Sequence, residues 1–134
     1  MIRRLIPIAL IVALFSAAIP APALALSTAT EIQLGKQADT DIVQGNVIEN
    51  DPLLNKWVRS ITDKLWTEVA RKDVPYNVKI IDDSSVDAFS TLGGYVYADE
   101  GLLDFVQSDD ELAGVLGHET GHIERRHAVT MQAK

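Results

Sequence analysis

The feature that most constrains this chain is the run His118-Glu119-Thr120-Gly121-His122 near its end. On an α-helix, residues four apart differ by about 40° around the axis and by about one turn along it. His118 and His122 then project from one face, where two neutral imidazoles suit a Zn²⁺ ion. Glu119 lies beside them, poorly placed as a ligand but suited to act as a general base on water. The motif therefore predicts one zinc ion per chain, with His118 and His122 as ligands and Glu119 as catalytic base.

The preceding residues predict the helix that the motif requires. Ser108 is followed three residues later by Glu111, which is a capping-box pattern, and the two aspartates between them suit the positive end of a helix dipole. The apolar residues that recur at helical spacing are Leu112, Val115, Leu116 and Ile123. The histidine pair is therefore expected in the second and third turns of a helix.

His127 is the third histidine of the chain. It lies five residues after His122, which is about 140° around a continuous helix. It cannot bind the same metal ion while the helix continues, and we expect it to make structural contacts near the helix end.

Three glycines, Gly114, Gly117 and Gly121, form a stripe near the histidine face of the same helix. Each is unfavourable by about 1 kcal/mol relative to alanine. The stripe favours close approach of another backbone to the metal face, either the edge strand or a helix outside this chain. Tight packing without a functional role explains the stripe equally well.

The first 25 residues have the pattern of a cleaved secretory signal peptide. A basic start, Met1 to Arg4, precedes an apolar run and an A-x-A cleavage pattern that ends at Ala25. The run is short for a membrane anchor and lacks a charged stop. We therefore expect residues 26–134 to form one domain without a stable membrane span, in the periplasm or another extracytoplasmic space.

Charge and cysteine content limit the possible partners and the interactions that can stabilise the fold. The formal net charge is −7 before removal of Arg3 and Arg4, which argues against nucleic acid as a partner. The chain has no cysteine, so its fold depends on core burial rather than on disulfides.

Periodicity and breakers predict an α+β fold, with N-terminal helices packed on a small antiparallel or mixed sheet and followed by the metal-binding helix. The predicted helices are 31–44 with Thr30 as cap, 52–71 with Asp51 as cap, and 100–106 with Asp99 as cap. The predicted extended segments are 77–81, 86–90 and 95–98.

The run Gly93-Gly94-Tyr95-Val96-Tyr97 lies just before the metal-binding helix. As an edge strand it could pair with an extended peptide through main-chain hydrogen bonds, so these residues are the predicted substrate-binding segment. An ordinary hairpin turn is the alternative.

Three segments together resemble a known family: 87–97, Gly101-Leu102-Leu103, and 111–122 with the following Arg126-His127. They are similar to the HtpX and CAAX-prenyl-protease family of gluzincin zinc metallopeptidases, peptidase family M48. The signal peptide and the segment 31–35 resemble its periplasmic branch, which degrades misfolded outer-membrane proteins. The resemblance implies Zn²⁺ bound by His118 and His122, Glu119 as catalytic base, and a cleft along Gly93 to Tyr97.

The family's third zinc ligand is a glutamate on a helix well downstream of the second histidine. The resemblance therefore implies that residues 26–134 are the N-terminal part of a longer catalytic domain. Upstream acids are possible third ligands in principle, namely Asp82, Asp83, Asp87, Asp99 and Glu100.

Two functions follow from these patterns. The first is a zinc-dependent endopeptidase that hydrolyses misfolded or unfolded envelope proteins. The alternative is a truncated, weakly active or inactive fragment that binds peptides in the manner of a chaperone.

Overall fold

The structure is a computed structural model and describes residues 26–132. The predicted signal peptide, residues 1–25, lies outside the described residues. The elements in chain order are α1 (Thr28–Gly45), α2 (Pro52–Glu68), β1 (Asn77–Ile81), β2 (Ala88–Ser90), a 3₁₀ turn (Leu92–Gly94), β3 (Tyr95–Asp99), α3 (Glu100–Phe105), α4 (Asp109–Glu124) and α5 (His127–Gln132). Helices pack on one small mixed sheet, so the predicted α+β class is confirmed. None of the described helices combines the length and the hydrophobicity needed to cross a bilayer.

Short polar side chains begin the longer helices. Asp51 accepts hydrogen bonds from the backbone N–H groups of Leu53 and Leu54 and precedes Pro52, as predicted. The cap of α1 is Ser27 rather than the predicted Thr30. Because Ser27 accepts from the N–H of Thr30, the helix begins three residues earlier than the sequence pattern indicated.

The sheet has the order β1-β3-β2, with β3 parallel to β1 and antiparallel to β2. The prediction that Gly93 to Tyr97 is an edge strand is therefore wrong. Val96, Tyr97 and Ala98 are all buried, and a strand buried on both faces is typical of the centre of a sheet. Among the described strands, β2 and β1 form the edges.

The Gly93-Gly94 turn lies directly against α1. Both glycines have positive φ angles, 78° and 93°, which a residue with a Cβ rarely adopts. A Cβ on Gly35 of α1 would lie 2.2 Å from the carbonyl oxygen of Leu92. The turn and the helix are thus in backbone-to-backbone contact.

The hydrophobic core lies between the sheet and the pair α2 and α4. Its most buried side chains include Val58 of α2, Ile80 and Val96 of the sheet, and Leu112 and Leu116 of α4. Burial of one face of α4 in this core fixes the direction in which its other side chains project.

Candidate metal centre

Helix α4 carries the histidine pair and starts at the predicted cap. The Ser108 hydroxyl accepts a hydrogen bond from the backbone N–H of Glu111 at 3.2 Å. The Glu111 carboxylate accepts from the N–H of Gln107 at 2.8 Å, one residue before the position that a capping box predicts. The N–H groups of Glu111 and Gln107 at the start of the helix are therefore both paired. The histidine motif lies in the second half of the helix.

The two histidines of α4 converge. Nε2 of His118 lies 3.0 Å from Nε2 of His122, and their ring centroids are 4.6 Å apart. Two nitrogen ligands of a tetrahedral zinc ion, each bound at about 2.0–2.1 Å, are about 3.3 Å apart. The donor type and the spacing of these two nitrogens therefore fit a zinc ion.

Glu119 lies between the histidines and the sheet. Its side chain is buried, and Oε2 accepts a hydrogen bond from the Ser90 hydroxyl at 3.0 Å. Ligand atoms of His118, Glu119 and His122 all lie within 4.8 Å of one another. A carboxylate is thus held next to the cation position by a residue of the edge strand β2, a contact that the sequence analysis did not predict.

The upstream acids do not join this group. Within residues 26–132, the cluster of possible metal ligands contains only His118, Glu119 and His122. Asp99, one of the candidates, instead lies near Asp83 and Asp87, and burial together with these two charges raises the pKa of its carboxyl group. None of the five upstream candidates is therefore a third ligand in this structure.

Helix α4 ends at Glu124, two residues after His122. Arg126 has a φ angle of 54°, which reverses the helical course, and α5 begins at His127. His127 Nδ1 then lies 2.6 Å from Nδ1 of His122. The prediction for His127 assumed that one continuous helix carries it together with His122. That assumption is wrong, because α4 ends before His127.

The turn after α4 is held by a buried carboxylate of α1. Glu31 is 2% exposed and accepts two hydrogen bonds from the Arg71 guanidinium, at 2.9 and 2.7 Å. Arg126 lies 3.1 Å from the same carboxylate, and Arg71 also donates to the carbonyl of Ile123. Burial raises the pKa of Glu31, but hydrogen bonds from Arg71 and Gly93 and the charges of Arg71 and Arg126 outweigh it and hold the pKa below its usual value.

A cleft of about 840 Å³ lies beside Glu119 and His122. Its lining is mostly apolar and includes residues 88–92, Glu119 and His122 of α4, and residues 126–130. The segment 88–92, rather than the predicted Gly93 to Tyr97, therefore borders the cleft. Tyr97 instead packs against Phe89 and donates a hydrogen bond to Asp39. Burial is the main cause that raises the pKa of its hydroxyl, and the bond to Asp39 raises this pKa further.

Among residues 26–132, no other backbone contacts the glycine stripe of α4. In the described part of the chain, a Cβ at Gly114 or Gly121 would meet nothing within 4 Å, and one at Gly117 would meet only the Leu65 side chain, at 3.8 Å. The edge strand is thus not the close neighbour of these glycines, and the described residues supply no other backbone at the metal face.

A helix with paired histidines and an adjacent buried carboxylate, next to a sheet edge and a cleft, is the arrangement of HExxH metallopeptidases. The family model for peptidase family M48 matches residues 52–134. The chain therefore belongs to peptidase family M48.

Individual relatives agree with this assignment. A putative beta-barrel assembly-enhancing protease of Vibrio cholerae is 36% identical over 78 residues, which are 58% of this chain and 16% of the relative. The beta-barrel assembly-enhancing protease of Escherichia coli is 28% identical over 76% of this chain and 21% of its own length. The E. coli metalloprotease YcaL is 30% identical over 78% of this chain and 40% of its own length. The chain thus spans about a fifth of the length of the assembly-enhancing proteases.

Proposed function

We propose that residues 26–134 are the N-terminal part of the catalytic domain of a zinc-dependent endopeptidase. The observation that carries this proposal is the convergence of His118 and His122 at 3.0 Å with the Glu119 carboxylate beside them. Family membership and the metalloprotease name of one relative support the same reaction class.

His118 and His122 would hold the zinc ion through their Nε2 atoms. A bound zinc ion supplies Lewis acidity, which polarises a carbonyl group and makes water a better nucleophile at neutral pH. Glu119 takes a proton from the attacking water on its carboxylate and delivers it to the leaving amine. Ser90 keeps Oε2 of that carboxylate oriented by its hydrogen bond.

The substrate lies in the cleft as an extended segment. β2 is an edge strand that borders the cleft, and an edge strand binds an extended peptide through main-chain hydrogen bonds, independently of sequence. The mostly apolar lining suits the hydrophobic side chains that an unfolded chain exposes. This mode of binding suits an unfolded substrate, because its main-chain N–H and C=O groups are free to pair with the edge strand.

We propose misfolded or unfolded envelope proteins as substrates and the periplasm as the location. The names of the Vibrio and Escherichia relatives, which refer to beta-barrel assembly, support this substrate class. The signal-peptide pattern of residues 1–25 supports export from the cytoplasm.

The test is zinc content and casein cleavage of the chain and of Glu119→Gln. The variant should retain the zinc of the wild-type protein and cleave about 10²–10⁴-fold more slowly, because it lacks the general base. Asp110→Asn, which neutralises an exposed acid in the first turn of the same helix, is the matched control and should cleave at the wild-type rate. Equal cleavage by Glu119→Gln and wild type would refute the general-base role, and peptide binding without zinc uptake would favour the chaperone-like alternative.

A further inference from the structure

His127 lies outside α4, yet its ring contacts a proposed zinc ligand. The left-handed conformation of Arg126 turns the chain back, so that His127 Nδ1 comes within 2.6 Å of His122 Nδ1. The two ring centroids are 4.9 Å apart and the planes are inclined by 57°. This is a direct nitrogen-to-nitrogen hydrogen bond, not a stacking contact.

The two nitrogens of the His122 ring face different partners. Nε2 faces Nε2 of His118 at 3.0 Å, whereas Nδ1 faces His127. A cation held by the two Nε2 atoms therefore lies on the side of the ring that points away from His127. His127 is thus not a further ligand of that cation, and its contact with His122 requires another explanation.

The position of one proton decides what this contact does. Neutral imidazole carries a proton on one ring nitrogen and a lone pair on the other. If His127 donated to His122, the proton of neutral His122 would lie on Nε2, which could not then bind a metal. If His122 donates from Nδ1, its Nε2 lone pair faces the cation position.

We propose that His127 is a positioning residue that accepts the Nδ1 proton of His122 and thereby keeps Nε2 of His122 available as a metal ligand. This proton position also fits the contact between His118 and His122, because His118 can donate from its Nε2 to Nε2 of His122 while no metal is bound. This inference deepens the proposed function and depends on its choice of metal ligands. A hydrogen-bond acceptor behind a histidine ligand generally fixes its tautomer and ring orientation.

The position of His127 depends on the contacts of its neighbour, Arg126. The Arg126 guanidinium contacts the buried Glu31 carboxylate and donates to the carbonyl of Leu26. The Arg126 carbonyl also accepts from the N–H of Thr130, in the first turn of α5. The residue directly before His127 is therefore held through both its side chain and its carbonyl, which limits where the His127 ring can lie.

The first experiment measures the tautomers directly. Long-range proton–nitrogen correlation spectra of the ¹⁵N-histidine-labelled, metal-free chain at neutral pH should assign the proton of His122 to Nδ1 and that of His127 to Nε2. A His122 proton on Nε2 would overturn the inference. Because no metal is present, this result does not depend on whether the chain is a peptidase.

The second experiment measures zinc affinity by competition with a chromogenic chelator. His127→Leu should bind zinc about 10–100-fold more weakly than wild type, the usual effect of removing such a partner. His127→Asn offers an oxygen near the former Nδ1 position and should recover most of that loss. Arg125→Ala, an exposed neighbour in the same turn, should bind as wild type does.

The outcomes separate the two proposals. Equal zinc affinity of His127→Leu and wild type, with a helical circular dichroism spectrum unchanged, would overturn the role of His127. Absence of zinc uptake by wild type, together with the expected tautomers, would refute the proposed function and leave the hydrogen-bond assignment intact.

Discussion

Ser90 is the residue through which the edge strand contacts the base of the site. Its hydroxyl donates to Oε2 of the buried Glu119, and it pairs through its backbone with Val96 of the central strand. The orientation of the Glu119 carboxylate therefore depends on the register of the sheet as well as on the helix that carries it.

We predict that Ser90→Ala reduces casein cleavage about fivefold and leaves zinc content unchanged. A typical hydrogen bond contributes about 1 kcal/mol, which corresponds to about fivefold in rate because 1.4 kcal/mol is about tenfold. Ser60→Ala removes an exposed hydroxyl of α2 and should have no effect. Equal rates for all three proteins would show that Glu119 does not depend on Ser90.

At this scale the sequence predicted some contacts and not others. The relation between His118, Glu119 and His122 follows from the geometry of a single helix, so local spacing was sufficient. The contact of Ser90 depends on strand order, and that of His127 depends on a helix break at Arg125-Arg126, where no glycine or proline marks it. Both require knowledge of the tertiary structure.

At the scale of elements, two helical glycines have opposite surroundings. Gly35 of α1 faces the backbone of Leu92, where a Cβ would lie 2.2 Å from the carbonyl oxygen, whereas a Cβ at the exposed Gly114 of α4 would meet nothing within 4 Å. Gly35 therefore permits close contact between α1 and the 3₁₀ turn, whereas Gly114 only lowers the helix propensity of α4.

We predict that Gly35→Ala lowers the free energy of unfolding by about 2 kcal/mol or more, because neither backbone can move away easily. Gly114→Ala should raise it by up to about 1 kcal/mol, since alanine favours the helix. Urea unfolding followed by circular dichroism measures both. A neutral Gly35→Ala would contradict the packing of α1 on the 3₁₀ turn.

The elements themselves were largely predictable, but their arrangement was not. The strand Asn77–Ile81 and the starts of α2 and α4 agree with the sequence pattern, because caps and alternation are local signals. The central position of β3 was missed, because its alternating appearance does not reveal that strands pair with both of its sides.

At the scale of the whole molecule, Glu31 joins four segments that are distant in sequence. Its carboxylate binds Arg71 after α2 and Arg126 after α4, and it lies 3.5 Å from the N–H of Gly93 before β3. These contacts connect α1 to the site without any part of α1 carrying a proposed zinc ligand.

We predict that Glu31→Gln lowers the free energy of unfolding at pH 7 by about 3 kcal/mol, the usual effect of removing one partner of a buried ion pair. Because the folded-state pKa of Glu31 is below its ordinary value of 4.5, its stabilisation is present above that pH and is lost as the pH falls through the folded-state pKa.

Unfolding of Glu31→Gln in urea should therefore depend less steeply on pH below 4.5 than that of wild type. Glu68→Gln, at an exposed position of α2, is the control and should follow the wild-type curve. Parallel curves for wild type and Glu31→Gln would contradict the lowered pKa.

The location of Glu31 affects where a shortened version of this protein should begin. The region that matches the family begins at residue 52, so a fragment trimmed to homology would keep both histidines of the motif and lose the counter-ion of Arg71 and Arg126. Two guanidinium groups would then repel each other beneath the turn that carries His127. Expression plasmids for this protein should therefore start no later than the serine that opens the first helix, Ser27.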